Sequence, residues 1–302
     1  MGKQDKQKKI VLTGHFDRPS NRQLGQELLH WLSGRSTVVA HNLNDHLNLA
    51  NLPAAEYIVV VGGDGTILAT ARAIQERPIP IIGINIGKLG YLAEFSFAQF
   101  TEHFDRLVND PDLITRRIML ACRVTGPDRP EDYNTTAVNE VAIVGEPPFR
   151  MVEISISIAD EHLALCVGDG LIIATPTGST AYNLSAGGPI LMSTLPVAVI
   201  TPLAAHSLSF RPVVVDLAKP IILHCRPRHS LNVNNNVSAR THAAMAVDGQ
   251  DLIQLTSKDE ITISLASPSF LLVRNPLQGQ WRLLNAKLNW GAMPNYNNRG
   301  PT

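Results

Sequence analysis

Tyr57-Ile58-Val59-Val60-Val61-Gly62-Gly63-Asp64-Gly65-Thr66 is the stretch on which the reading of this chain turns. Five apolar, mostly β-branched residues in unbroken succession suit a strand buried on both faces of a parallel sheet. The glycines that follow let the backbone turn tightly and approach a ligand closely. A helix is expected over Thr66 to Gln75, ended before Pro78. Its first turn offers unpaired N–H groups and a partial positive charge, so Gly62, Gly63, Gly65 and Thr66 form a phosphate loop. Asp64 is odd in such a loop, because a carboxylate repels phosphate. It makes sense if it handles a proton or a metal ion. A bare G-G-D-G also serves as an ordinary capped turn. The chain has no G-x-x-x-x-G-K-[ST] and no G-x-G-x-x-G after a strand. It is therefore neither a P-loop enzyme nor an ordinary Rossmann dehydrogenase.

Working outward, strand and helix signals alternate. Lys9 to Thr13 and Thr37 to Ala40 read as strands, as does Ile79 to Ile84 with Pro80 interrupting it. Asn21 to Ser33 carries Leu24, Leu28, Leu29 and Leu32 at helical spacing before Gly34, and Phe97 to Val108 is a second helix. That rhythm predicts a doubly wound α/β domain over residues 1–112. Near Pro111 the character changes to alternation, clearest in Met151 to Ile158. Asp160-Glu161 is expected to turn there, with His162 to Val167 returning. Val213 to Val215, Ile221 to Cys225, Met245 to Val247, Leu252 to Leu255 and Ile261 to Leu265 continue the pattern. An antiparallel β-sandwich domain is expected over 113–275, with a loop at Asn232 to Asn236. Residues 276–302 form a C-terminal segment, partly loose.

Composition agrees with two such domains. The chain has 302 residues, about two domains' worth, and is 44% hydrophobic and 17% charged. That excludes a disordered, collagen-like or coiled-coil protein. Lys plus Arg and Asp plus Glu are both 26. A generic nucleic-acid or anionic-membrane binder would carry a basic excess, so neither partner is expected. The three cysteines lack C-x-x-C spacing and read as reduced, buried thiols of a cytoplasmic protein. No apolar run reaches the ~20 residues of a membrane span, and MGKQDKQKK is not followed by a signal-type apolar region.

Three further segments carry chemistry. Gly83 to Leu92 (GINIGKLGYL) leaves a buried strand and should emerge at the same carboxyl edge as Asp64, where open α/β sheets bind ligands. Tyr91 could stack on a base there, or be an ordinary core aromatic. Asn139-Glu140 interrupts the apolar run Ala137 to Val144, which costs energy unless the pair is satisfied. Gly168-Asp169-Gly170, alone a hairpin turn, leads into Leu171 to Tyr182, where hydroxyls and glycine suit recognition of ribose or phosphate.

In this order and spacing the segments resemble the NAD kinase family, from about Lys9 to Leu272. GGDGT alone is shared with diacylglycerol- and sphingosine-kinase relatives. NE followed by GDGLIIATPTGSTAYNLSAGGP, Gly168 to Pro189, is far more specific. The resemblance implies a two-domain subunit in a homodimer or homotetramer, with residues of a neighbouring subunit completing the site. It implies transfer of the γ-phosphate of ATP, or of polyphosphate, to the adenosine-ribose 2′-hydroxyl of NAD, with a divalent metal, Mg²⁺ by type, whose protein ligands it does not name. On this resemblance Asp64 is the catalytic residue and also contacts NAD with Gly65. Tyr91 lies by adenine, and Asn139 and Glu140 hold the diphosphate and ribose region. Arg150 is a further ligand contact, and Asp169 lies near nicotinamide. Thr180, Ala181, Tyr182, Asn183, Leu184 and Ser185 line the nucleotide, Ala204 is a small residue near adenine, and Gln250 is a polar contact. Val167 departs from the family, standing where relatives carry a basic residue. Asn183 replaces the commoner Ser.

Asp64 would accept the 2′-hydroxyl proton while the loop positions the phosphates. Two other readings stay open: a lipid or sugar kinase sharing only the GGDGT core, and a non-catalytic NAD(P) sensor.

Overall fold

The computed structural model describes residues 7–44, 47–87, 90–146, 151–227 and 240–290. Arg150 and the Asn232 to Asn236 loop lie outside them. The chain divides into two compact units. One takes in Met1–Ile67, Ile79–Thr115 and Leu272–Thr302, the other Leu68–Pro78 and Arg116–Leu271.

The first unit is built on a six-stranded sheet. Its strands, edge to edge, are Thr37–His41, Lys9–Gly14, Tyr57–Val61, Ile81–Ile84, Phe270–Val273 and Ile114–Arg117. The first four pair in parallel, and Leu272 pairs in parallel with Ile81. All five residues of Tyr57–Val61 are buried, as a central strand with two covered faces requires. Three helices follow strands: α1 (Pro19–Ser33), α2 (Asp64–Ala73), whose residues from Leu68 on count with the second unit, and α3 (Phe97–Asn109). Leu28 and Leu32 of α1 and Phe100, Phe104 and Leu107 of α3 join Ile10, Val59 and Ile82 of the sheet in one apolar cluster. α3 starts on a capping box: Ser96 accepts the Gln99 N–H and the Gln99 side chain returns to the Ser96 N–H.

Two elements differ from the sequence reading here. The fourth strand begins at Ile81, because Pro80 has no N–H to give the ladder. Phe270-Leu271-Leu272-Val273 is a strand of this first sheet and not part of the sandwich. Its apolar residues are continuous, as in Tyr57–Val61, and do not alternate.

The second unit holds two six-stranded sheets in which every pairing is antiparallel. One runs Glu161–Gly168, Val152–Ile158, Ile221–Pro227, Glu260–Leu265, Leu120–Thr125 and Tyr133–Ala137. The other runs Val213–Asp216, Val197–Leu203, Gly170–Ala174, Glu140–Gly145, Arg240–Val247 and Asp251–Thr256. Ile154, Leu223 and Ile263 of the first share a core with Ile143, Ile173 and Met245 of the second, which makes the unit a sandwich. Cys122, Cys166 and Cys225 are free thiols in that core. The expected turn falls one residue early: Ala159 takes φ 52°, and Glu161 already pairs with Ile158. No helix among the described residues is long and apolar enough to cross a membrane.

Candidate active site

In the first unit the loop after Tyr57–Val61 is tied to the next strand by Gly62 N–H to the Ile84 carbonyl, 2.9 Å. α2 begins at Asp64, two residues before the sequence places it. A side chain on Gly62 would strike Thr66, at 2.5 Å from its hydroxyl oxygen. Among the described residues nothing lies within 4 Å of a Cβ built on Gly63 or Gly65. Gly62 therefore serves loop packing, while the backbone at Gly63 and Gly65 faces space that a ligand can enter.

The Asp64 carboxylate has a second task that the sequence does not announce. Its Oδ2 accepts the Tyr91 N–H at 2.8 Å, and its Oδ1 accepts those of Leu92 and Ala93 at 2.9 and 3.0 Å. Asp64 thus shapes the loop that carries Tyr91. A carboxylate has about four acceptor sites, so one remains, on Oδ2. A Cβ on Gly90 would lie 2.0 Å from Asp64 Oδ1, which is why glycine precedes Tyr91. The Tyr91 hydroxyl is buried without a partner among the described residues. Burial, then the charge of Asp64, pushes its phenol up from the usual value. The Lys287 ammonium of the C-terminal helix Gln280–Leu288 sits 4.9 Å over the ring and covers one of its faces.

In the second unit Asn139-Glu140 is not an interruption within one strand. It is the corner at which the chain leaves Tyr133–Ala137 of one sheet and enters Glu140–Gly145 of the other. The corner's backbone is held on two sides. Asp248, in a left-handed turn with φ 50°, accepts the Val138 N–H on Oδ2 at 2.9 Å and those of Asn139 and Glu140 on Oδ1 at 2.7 and 3.2 Å. Thr175 donates its hydroxyl to the Val138 carbonyl at 2.6 Å and its N–H to the Asn139 carbonyl at 2.8 Å. Gly178 passes so close that a Cβ would lie 2.2 Å from the Asn139 carbonyl oxygen. Arg72 of α2 pairs with Asp251 beside this turn and reaches Thr135 at 3.2 Å and Gln250 at 3.5 Å.

Within this cluster Glu140 Oε2 and the Thr177 hydroxyl are buried without a partner among the described residues. Orphaned buried polar atoms are costly, and two in one cluster mark a place built for something else to fill. Burial, reinforced by the charge of Asp248 and opposed by the Tyr182 N–H, pushes Glu140 up to about 7. Burial also raises Asp248, against its three N–H partners and Arg72. Sequence reasoning missed Asp248, Thr175 and Arg72. The D-G turn between two apolar runs was the available signal for the first.

The remaining predicted residues separate. Thr180, Ala181, Tyr182, Leu184 and Ser185 follow Gly170–Ala174 at the Asn139 end, Tyr182 and Ser185 exposed. Asn183 departs from expectation. It is fully buried, donating to the Ser179 and Pro189 carbonyls at 3.1 Å each and accepting the Thr201 hydroxyl at 2.7 Å. Its side chain is spent on holding the loop and cannot line a ligand. Asp169 and Ala204 lie at the other end of the same strands. Gly168-Asp169-Gly170 is a sheet-to-sheet corner, not a hairpin: Gly168 pairs with Val152, and Gly170 with Val144 and Leu203. Asp169 is exposed, its N–H on the Leu203 carbonyl and its carbonyl on the Gly145 N–H. Ala204 follows in a left-handed turn, φ 43°. At about 3.3 Å per residue, the six-residue strand Glu140–Gly145 puts roughly 20 Å between Asp169 and Asn139.

The chain matches the ATP-NAD kinase N-terminal domain over residues 19–112 and the ATP-NAD kinase C-terminal domain over 138–275. It is similar to the NAD kinase of Trichlorobacter lovleyi, 32% identical over 293 residues that cover 94% of this chain and 99% of the relative. The NAD kinase of Rhodopirellula baltica is 37% identical over 285 residues, covering 94% and 87%. A solved NAD kinase from Archaeoglobus fulgidus in complex with ATP superposes with a TM-score of 0.68 at 25% identity, over 89% of this chain and 94% of that one. Yeast NADH kinase complexed with NADH gives 0.83 at 23% identity, over 97% and 90%, a likeness of fold alone. The two domain matches together span most of the chain, and the relatives are matched nearly end to end, so this chain belongs to the NAD kinase family.

Proposed function

We propose that the chain transfers the γ-phosphate of ATP to the adenosine-ribose 2′-hydroxyl of NAD, giving NADP and ADP. The bond from the ribose oxygen to the γ-phosphorus forms as the bond to the β–γ bridging oxygen breaks, and the hydroxyl proton passes to Asp64. The observation that carries this reading is the Asp64 carboxylate: fixed by three N–H donors, it keeps one acceptor site on Oδ2 beside two glycines that face open space. An aspartate is a weak base near neutrality, so it orients the hydroxyl and takes the proton late. Of the loop Gly62 to Thr66, Gly63 and Gly65 present their backbone to phosphate at the start of α2, while the Gly62 N–H on the Ile84 carbonyl and the Thr66 N–H on the Gly63 carbonyl hold the loop's shape. Such positioning supplies most of a phosphoryl transfer's acceleration.

We assign NAD contacts to Tyr91, Asn139, Glu140, Thr180, Ala181, Tyr182, Leu184, Ser185 and Gln250, and a further one to Arg150. The unpartnered oxygens of Glu140 and Thr177 support the part of this set that lies in the second unit. We assign Asp169 and Ala204, some 20 Å along the strand by its rise per residue, to the dinucleotide of a neighbouring copy in a homodimer or homotetramer. Among the described residues no three His, Cys, Asp or Glu side chains converge as a ligand set. A divalent ion bound with the incoming nucleotide would neutralise charge on the transferred phosphate. The buried free thiols suit a reducing cytoplasm. A lipid or sugar kinase would have no use for the buried Glu140 carboxylate at the corner, and a sensor would have no use for the acceptor site left on Asp64 Oδ2.

The test is formation of NADP from NAD and ATP, read by an NADP-specific dehydrogenase. Chelation should abolish it and Mg²⁺ restore it, with the melting temperature of the nucleotide-free protein unmoved. Protein that binds NAD yet makes no NADP with ATP or polyphosphate would favour the sensor.

A further inference from the structure

Asp248 is a buried carboxylate that the reaction does not use. It sits in a left-handed turn, which a non-glycine residue adopts at a cost, Asp and Asn least of all. Such conformations persist where the surroundings demand them. Here the demand is visible. Both carboxylate oxygens are occupied by the N–H groups of Val138, Asn139 and Glu140, and the Asp248 N–H returns to the Glu140 carbonyl at 3.0 Å. The other face of the corner is closed by Thr175 and by the close passage of Gly178. The corner's backbone is thus held on both sides, with Glu140 Oε2 buried and without a partner among the described residues. The arrangement parallels Asp64, which holds the Tyr91–Ala93 N–H groups in the same three-donor manner.

We propose that Asp248 is a positioning residue for the phosphate acceptor: it fixes the Val138–Glu140 backbone so that Asn139 and Glu140 present their side chains to NAD. The inference rests on the assignment of those two residues to NAD. It implies an effect on NAD affinity and not on the transfer step. The charged groups about the pair are Arg72 from α2 and Asp251 from the same hairpin as Asp248, themselves paired, and the Tyr182 N–H faces Glu140. The charge of Asp248 disfavours ionisation of Glu140, so Asp248 also affects the pH at which Glu140 becomes an acceptor for ribose hydroxyls.

Asp248→Asn keeps the shape and the tolerance of the left-handed turn but turns one acceptor oxygen into a donor facing an N–H. In the full chain it should raise KM for NAD at least tenfold, with kcat at saturating NAD and KM for ATP within threefold of the parent. NAD affinity should rise with pH through about 7 in the parent, and the midpoint should move to lower pH in the variant, because a like charge is gone. The split between KM for NAD and kcat is what tells positioning from support of the fold, since a residue that merely supports the fold would move kcat, both affinities and the melting temperature together. Asp248→Ser, with one acceptor oxygen left, is the second variant should Asn fail to fold. Asn139→Ala and Glu140→Gln are measured alongside. If they raise KM for NAD while both Asp248 variants leave it within twofold, the inference is overturned. If the Asp248 variants lower kcat and both affinities together with the melting temperature, their role is structural and the inference is likewise overturned. If Asn139→Ala and Glu140→Gln themselves leave KM for NAD unchanged, it is the NAD assignment that has failed, and the inference falls with it.

Discussion

Asp64→Asn removes a charge without changing shape, yet the hydrogen bonds around Asp64 make it more than a test of basicity. The carboxylate accepts three backbone N–H groups, one on Oδ2 and two on Oδ1. An amide has one acceptor oxygen. In the orientation that keeps Leu92 and Ala93 satisfied, its NH₂ faces the Tyr91 N–H, donor against donor. At least one bond to a charged acceptor is lost, about 1.5–3 kcal/mol. That should lower the melting temperature by several degrees, at roughly 2–4 °C per kcal/mol for a chain of this size. Loss of the proton acceptor should lower kcat at least about 10²-fold, or about 2.7 kcal/mol at 1.36 kcal/mol per decade. Steady-state NADP formation and thermal melting measure the two effects. Gly90→Ala probes the same contact with the charge retained: its methyl group would meet Asp64 Oδ1 at 2.0 Å and must displace the carboxylate, so kcat and melting temperature should fall together. If Asp64→Asn keeps kcat within threefold of the parent, Asp64 is a loop clamp and not the proton acceptor.

Three more expectations concern the second unit and the assembly. Glu140 stands near 7 in the native protein against an ordinary 4.5, so between those values the folded chain keeps a proton that the unfolded chain releases. Stability of the nucleotide-free protein should therefore fall as pH rises from about 4.5 to 7, by roughly 3 kcal/mol in all at 1.36 kcal/mol per unit. Denaturant melts across that range should show a visibly shallower slope for Glu140→Gln, and equal slopes would refute the assignment. Asp169→Ala removes an exposed side chain, so it should weaken NAD binding with no loss of melting temperature. Light scattering should show NADP raising the oligomer fraction on dilution, because a ligand held by two copies stabilises the assembly. A monomer with full turnover would sink the shared site.

The local pattern of the chain decided a good deal by itself. Tyr57–Val61 could only be a strand covered on both faces, since five consecutive apolar residues leave no side for water. Met151 to Ile158 could only be half-buried, since its period is two. Glycine, aspartate and threonine after an apolar strand made the Gly62 to Thr66 turn a candidate ligand loop, and the spacing of NE and GDGL to TAY marked the family. What needed the tertiary structure were the partnerships between residues distant in sequence. Phe270–Val273 belongs with Ile81–Ile84 because a parallel strand finds its place by filling a gap in a sheet, which no neighbouring residue announces. Asn183 reads as part of a ligand-lining run, but its amide is consumed by Ser179, Pro189 and Thr201. Asp64 and Asp248 each hold three N–H groups from a loop 27 to 29 and 108 to 110 residues away. A backbone N–H carries no side-chain signature, so the sequence shows the carboxylate and not what it holds.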